Sequence, residues 1–199
     1  MQQRVYAFDF DGTLTTRDTL FAFVRHARGT ASLVVGLLIH VPYLVAMKMG
    51  LSDNGKTKER LLGWFFKGTT EEDFDAMCRH FAADSRHLLR PDGLAAIDDA
   101  LREGSRVVVV SASIDRWVRP FFADRPGVTV EGTRMEVVDG RLTGRFLGSN
   151  CYGQEKVNRL KAMLGDRNDY QLTAFGDSSG DRELLAYADE KHYKPFRNR

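Results

Sequence analysis

The sequence predicts an α/β fold: a parallel sheet wrapped by helices, with an all-helical block inserted after the first strand. Three observations carry that expectation. Four short apolar runs (5–10, 106–110, 128–130 and 171–175) have the length and continuity of strands buried on both faces. Helical patterns separate the later runs, and alternation of the two kinds of element argues for parallel pairing. Residues 15–89, by contrast, contain no strand pattern.

Taken in order, the first strand is Val5-Tyr6-Ala7-Phe8, leading straight into Asp9-Phe10-Asp11-Gly12-Thr13-Leu14. The helical block opens with a helix over 18–28 that carries Leu20, Phe21, Phe23 and Val24. A long apolar stretch over 31–51 follows, broken near its middle by His40 and Pro42. A helix over 56–66 carries Leu61, Leu62, Trp64 and Phe65, and the aromatic cluster Trp64-Phe65-Phe66 reads as interior packing. Thr70-Glu71-Glu72-Asp73 forms an acidic N-terminal turn before Phe74, Met77, Cys78 and Phe81. Beyond the block, Pro91 opens a helix with Leu94, Ile97 and Leu101 on one face, and Gly104 ends it. Further helices are expected over 114–123, 155–164 and 180–188. One hairpin interrupts the alternation: strands over 135–138 and 141–143 flank Asp139-Gly140, a type I′ turn signal.

Composition bounds the function. A chain of 199 residues can bury one sizeable core plus a smaller lobe. A net charge of +2 leaves no broad basic footprint, so nucleic acid is excluded as a partner. Two cysteines, Cys78 and Cys151, are too few for a disulfide framework and read as the reduced thiols of a cytoplasmic protein. The opening apolar run is too short for a secretory signal, and the five histidines show no metal-ligand spacing.

The chemistry concentrates at strand ends. Asp9 and Asp11 stand two residues apart where the first strand closes, so strand geometry projects both to one face, and two such carboxylates call for a cation. Gly12 permits a tight turn and a close backbone approach. Ser111 follows the strand over 106–110, Lys156 sits near a helix start, and Asp177 and Asp181 follow the strand over 171–175. In a parallel sheet those ends share one edge, so these residues converge there. A hydroxyl, an ammonium and four carboxylates suit phosphoryl transfer, where positioning and charge neutralisation do most of the catalysis.

In these residues the chain resembles phosphatases of the haloacid dehalogenase superfamily, in the subclass that includes phosphoserine-phosphatase-like members. Asp9-Phe10-Asp11-Gly12-Thr13, Ser111, Lys156 and Gly176-Asp177 with Asp181 match its four motifs in order. The resemblance implies a Rossmann-like core over 1–14 and 90–199 and a helical cap over 15–89. It implies that Asp9 is the nucleophile and that Asp11 protonates the leaving alcohol, then activates water. Mg²⁺ is then held by Asp9, Asp177 and the Asp11 carbonyl. Ser111 and Lys156 bind the phosphoryl group, and Asp181 orients Lys156 or a metal-bound water. Gly12, Ala112 and Asp18 lie against the substrate, Asp18 serving equally as a cap of the first helix. Lys58 and Arg60 read as a solvated helix face in preference to contacts with a substrate anion. A carboxylate at Asp11 implies an alcohol leaving group, hence a phosphatase or a phosphomutase.

The second and fourth motifs, Ser111-Ala112-Ser113 and Asp177-Ser178-Ser179-Gly180-Asp181, depart from the phosphoserine phosphatase pattern. They are more similar to a bacterial subgroup that includes phosphatidylglycerophosphate phosphatases, which implies an amphiphilic or lipid phosphomonoester. A small-metabolite phosphatase of the phosphoserine type and a phosphomutase are the rival enzymes. A non-catalytic membrane-surface protein is the rival of another class. The stretch 31–51 approaches the ~20 residues of a membrane span. A single crossing would part Asp9 from Ser111, Lys156 and Asp177. Two readings remain, cap core or a helical hairpin on the inner membrane surface flanked by Arg25, Arg28, Lys48, Lys56 and Lys58, and cap core is favoured.

Overall fold

A Rossmann-like sheet of five parallel strands, in the order β3-β2-β1-β6-β7, organises the protein in a computed structural model that describes residues 2–49, 51 and 53–197. The strands are β1 (Gln3–Phe8), β2 (Arg106–Ile114), β3 (Val128–Thr133), β6 (Tyr170–Gly176) and β7 (Glu190–Tyr193). β4 (Met135–Val138) and β5 (Arg141–Phe146) form the separate antiparallel hairpin. β1 lies at the centre, with Val5 beside Arg106 of β2 and Gln3 beside Tyr170 of β6. Its alternate residues serve two cores. Val5 and Ala7 join Val108, Val110 and Leu160, while Phe8 joins Val107, Val109 and the aromatic residues of the helical block. Burial on both faces is why these strands read as unbroken apolar runs.

Three strand expectations change. The first strand stops at Phe8, and an irregular turn occupies Phe10–Leu14 because Gly12 takes φ 79°. β2 runs on to Ile114, so Ser111 lies within the strand rather than beyond it, and its pairing with β3 shifts register between Ser111 and Ile114. β7 is new. It is an exposed edge strand, Glu-Lys-His-Tyr, whose polar sequence carries no apolar signal.

Among the helices, α4 (Pro91–Arg102) and α6 (Gln154–Leu164) match the sequence reading closely. The helix expected over 114–123 divides into α5 (Asp115–Val118) and a 3₁₀ turn, Arg119–Phe122, where Pro120 cannot donate to the ladder. The one expected over 180–188 begins as a 3₁₀ turn, Ser179–Asp181, before α7 (Arg182–Tyr187).

The helical block consists of α1 (Leu20–Lys48), α2 (Asn54–Phe66) and α3 (Glu71–Asp84). Asp53 caps α2 and Thr70 caps α3 by accepting from the Lys56 and Asp73 backbone N–H groups. α1 absorbs both the first expected helix and the apolar stretch. Its break falls at Gly29 (φ 83°, ψ 163°), not at His40 or Pro42. Gly50, Ser52 and the Lys48 side chain lie outside the described residues. Phe23, Phe66, Phe74 and Phe81 pack together, and Phe23 stacks on Trp117 of the sheet domain with centroids 4.7 Å apart. The later half of α1 departs from the expectation of a buried cap core: Val34, Val35, Leu38, Ile39, Val41 and Val45 are exposed.

Chain entry and exit lie side by side. Thr16 N–H donates to Leu88 O and Arg90 N–H donates to Leu14 O, both at 2.8 Å. The hairpin supports the block from the far side: Gly68 N–H donates to Leu142 O and Leu142 N–H to Thr69 O. Gly63 approaches Gly144 so closely that a Cβ there would stand 2.7 Å from the Gly144 carbonyl oxygen.

Candidate active site

The C-terminal edge of the sheet gathers Asp9, Lys156, Asp177 and Asp181. Asp9 directly follows β1 and is anchored to β6 by donating its N–H to Phe175 O at 2.9 Å. Lys156, on the first turn of α6, donates to Asp9 Oδ1 at 2.5 Å and to Asp181 Oδ1 at 2.7 Å, and all three side chains are buried. Burial, abetted by Asp181, pushes the Asp9 carboxyl up to about 7 despite the adjacent ammonium. Burial alone would lower Lys156, but the two carboxylates outweigh it and hold the ammonium above its ordinary range. Burial likewise opposes ionisation of Asp181, and Lys156 outweighs it, leaving Asp181 below the usual carboxylate range.

Asp181 also shapes the loop. Its Oδ2 accepts from the backbone N–H groups of Asp177 (3.1 Å) and Ser178 (3.0 Å) and from the Ser178 hydroxyl (3.0 Å). Both its oxygens are thus engaged, and it orients Lys156. Asp177 is freer, accepting from Arg197 at 2.5 Å and from the Thr13 hydroxyl at 3.4 Å. Gly12 presses against it: a Cβ at residue 12 would meet Asp177 Oδ2 at 2.6 Å.

The carboxylates fit a hard divalent cation. Single oxygens of Asp9, Asp177 and Asp181 lie within 4.8 Å of one another. The donors are all oxygen, as Mg²⁺ prefers. Burial penalises ionisation of Asp9 and Asp177, a cost that a bound cation would remove.

Asp11 does not share a strand face with Asp9. Because the strand ends at Phe8 and Gly12 turns the chain, Asp11 faces another wall of the same cavity. Its Oδ1 accepts from the Thr19 N–H (2.7 Å) and hydroxyl (2.6 Å), and its Oδ2 from the Ser113 hydroxyl at 2.5 Å, with Ser111 Oγ at 3.5 Å. Ser111 is fully buried within β2, and its Oγ accepts from Ser113 N–H at 3.0 Å. Thr19 and Ser113 were not among the expected site residues. Ser113 had a signal, since it lies two residues beyond Ser111 on a strand that continues. Thr19 had none.

A cavity of about 550 Å³ opens above Asp9 between sheet and helical block. Its floor holds Asp9, Asp11, Gly12, Ser111, Ala112 and Lys156, and its roof brings Leu20, Phe21, Leu44, Met47 and Leu61. Asp18 lines the cavity and accepts from Leu20 N–H at 2.7 Å in the turn that leads into α1, whose N-cap residue is Thr19. Lys58 departs from the sequence reading. It leaves the solvated face and donates to Ala112 O at 2.7 Å, inside the cavity wall. Burial there lowers its pKa, while Asp11 and Asp18 oppose the shift. Arg60 keeps to the outside, its guanidinium 4.6 Å above the Tyr43 ring. Arg197, near the chain end, reaches the cavity from a position that no sequence pattern marks.

Comparison with known proteins converges on one family. The pattern of the haloacid dehalogenase-like hydrolases matches residues 6–186. Protein CicA of Caulobacter vibrioides (strain NA1000 / CB15N) is 40% identical over 196 residues, which are 97% of this chain and 86% of that protein. A crystal structure of a protein with unknown function from Bordetella pertussis Tohama I superposes with TM-score 0.83 at 22% identity, covering 96% of this chain and 89% of that one. A substrate-bound phosphoserine phosphatase complex superposes with TM-score 0.64 at 19% identity, covering 97% of this chain and 86% of that one. The extent of the family match, from the first strand through the helix after the fourth motif, shows that the chain belongs to the haloacid dehalogenase-like hydrolases.

Proposed function

We propose that this hydrolase cleaves phosphomonoesters through a phosphoryl group carried transiently on Asp9. The observation that carries the reading is Lys156, which bridges Asp9 and Asp181 at 2.5 and 2.7 Å on the cavity floor. It holds one Asp9 oxygen and keeps the carboxylate aimed at the space above. Asp9 attacks phosphorus and the bond to the leaving oxygen breaks. Asp11 gives that oxygen its proton, so an alcohol departs. Asp11 then takes a proton from water, which attacks phosphorus, releasing inorganic phosphate and restoring Asp9. The Ser111 hydroxyl and Lys156 Nζ donate to the phosphoryl oxygens. The Asp9 and Asp177 carboxylates with the Asp11 carbonyl would hold Mg²⁺, which when bound supplies positive charge against nucleophile and phosphate.

Residues 15–89 act in this reading as the cap that selects the leaving group. Two features favour an amphiphilic phosphate ester over phosphoserine. The cavity is far larger than a phosphate, and Leu20, Phe21, Leu44, Met47 and Leu61 give it an apolar roof. Release of inorganic phosphate from Mg²⁺-loaded enzyme tests both levels. Asp9→Asn is expected to lose at least about 10³-fold in kcat while its melting curve stays cooperative. Wild-type rates in that variant would exclude the mechanism. Higher kcat/KM for a short-chain lysophosphatidate than for phosphoserine is expected, and the reverse order would exclude the amphiphilic substrate.

A further inference from the structure

The later half of α1 carries an apolar face that the fold does not cover. Val34, Leu38, Val41, Val45 and Met49 recur at intervals of three or four, and Val35 and Ile39 lie beside them. Leu38 and Met49 are each 67% exposed, and only 11% of the most apolar 18-residue window of α1 is buried. From Val34 to Met49 the face is about 22 Å long at the α-helical rise. An apolar patch on this scale marks an interaction surface.

The helix cannot cross a bilayer, although its length and composition would allow it. Its opposite side is packed on α2: a Cβ at Gly36 would fall 2.4 Å from Phe65, and the His40 ring stands edge-on to Trp64. The chain on both sides of it also enters one sheet, β1 before and β2 after, paired from Val5–Arg106 onward. The face therefore lies along a surface.

Charge selects the surface. No acidic residue occurs between Asp18 and Asp53, whereas Arg25, Arg28 and Lys48 fall in that interval and Lys56 and Arg60 follow it. Arg25, Lys56 and Arg60 are exposed. Tyr43 and Trp64, both 43% exposed, add amphipathic rings of the kind that suit a lipid headgroup region. A second copy of the chain on the same face would bring like-charged margins together.

We propose that this face of α1 docks on the surface of an anionic phospholipid bilayer, with its apolar residues at the acyl boundary and the basic residues among the headgroups. The cavity opens beside it. Phe21 is both exposed and part of the cavity lining, and Leu44 and Met47 line the cavity from the same helix. Direct passage of an amphiphile from bilayer to cavity rests on the phosphatase reading; the docking itself does not.

Vesicle flotation of the full chain tests the proposal, using phosphatidylcholine alone and phosphatidylcholine with about one-third phosphatidylglycerol. Wild type is expected to bind the anionic vesicles, more weakly at high salt. Leu38→Glu with Val45→Glu should weaken binding at least about tenfold, while hydrolysis of p-nitrophenyl phosphate stays unchanged. Asp9→Asn should bind as wild type does, so a failure of the catalytic reading leaves the docking result standing. The proposal is overturned if wild type does not bind anionic vesicles or if the double variant binds equally well. It is also overturned if light scattering shows a wild-type dimer that the double variant converts to monomer, which would make a second copy the occupant.

Discussion

Lys156 illustrates how one buried cation holds two buried anions in place. Replacing it with Met leaves Asp9 and Asp181 without their shared counter-charge, and loss of one partner from a buried ion network costs about 3–5 kcal/mol. The sign of its pH dependence follows from Asp9. In metal-free protein the folded carboxyl sits at about 7, against ~4 unfolded. The folded state therefore binds the proton more tightly, and wild-type stability gains from Asp9 as pH falls from about 7 towards 4. Asp181, held below its ordinary value, acts oppositely and loses its contribution at still lower pH. Urea melts in chelator at pH 8 and pH 5 should show the Lys156→Met deficit shrinking at the lower pH, where the stranded carboxylates protonate. A deficit independent of pH would refute the electrostatic account. At this scale the sequence was readable for Asp9 and Asp177, which follow strand ends, and for Lys156, on the first turn of α6. It was not readable for Asp11, because the Gly12 turn that redirects it is a backbone angle, invisible in a pattern of apolar and polar residues.

Elements whose apolar pattern is set by burial on two faces were legible, and those set by an edge or a tertiary partner were not. β1, β2 and β6 announce themselves, whereas β7 is polar because one side of it faces solvent. The apolar residues of α2 mark it as a helix, and its polar residues by themselves suggest a face turned to water. In fact Lys58 on that face reaches the Ala112 carbonyl, 54 residues away in sequence. Only the packing of α2 over the β2 end makes that contact, and no local pattern encodes it. Lys58→Ala removes an ammonium from the cavity wall beside Asp11 and Asp18. It is expected to raise KM for a phosphate ester about tenfold, with a smaller change in kcat, in line with loss of one charged hydrogen bond. Steady-state kinetics that show kcat falling with KM unchanged would instead place Lys58 in the chemical step.

Across the whole molecule, the site is a product of topology. Parallel strands β1, β2 and β6 deliver their ends to one edge and α6 brings Lys156 to it, which is why much of the residue set could be assembled from sequence. The chain end adds a group that topology does not forecast. Arg197 places its guanidinium on Asp177 Oδ2, one of the two oxygens that this carboxylate can offer a cation. Arg197→Ala should therefore tighten Mg²⁺ binding several-fold in titration calorimetry, and unchanged or weaker affinity would show that Arg197 does not compete.

The paired backbone hydrogen bonds between Thr16 and Leu88 and between Leu14 and Arg90 put entry and exit of the helical block on one narrow neck. Asp11 straddles that neck, held by Thr19 on the block side and Ser113 on the sheet side. A swing of the block that carries Thr19 away withdraws two of its hydrogen bonds at once. In the proposed mechanism, where Asp11 carries the proton, admission of a substrate and readiness of Asp11 would then be geared to a single joint, with no separate timing needed.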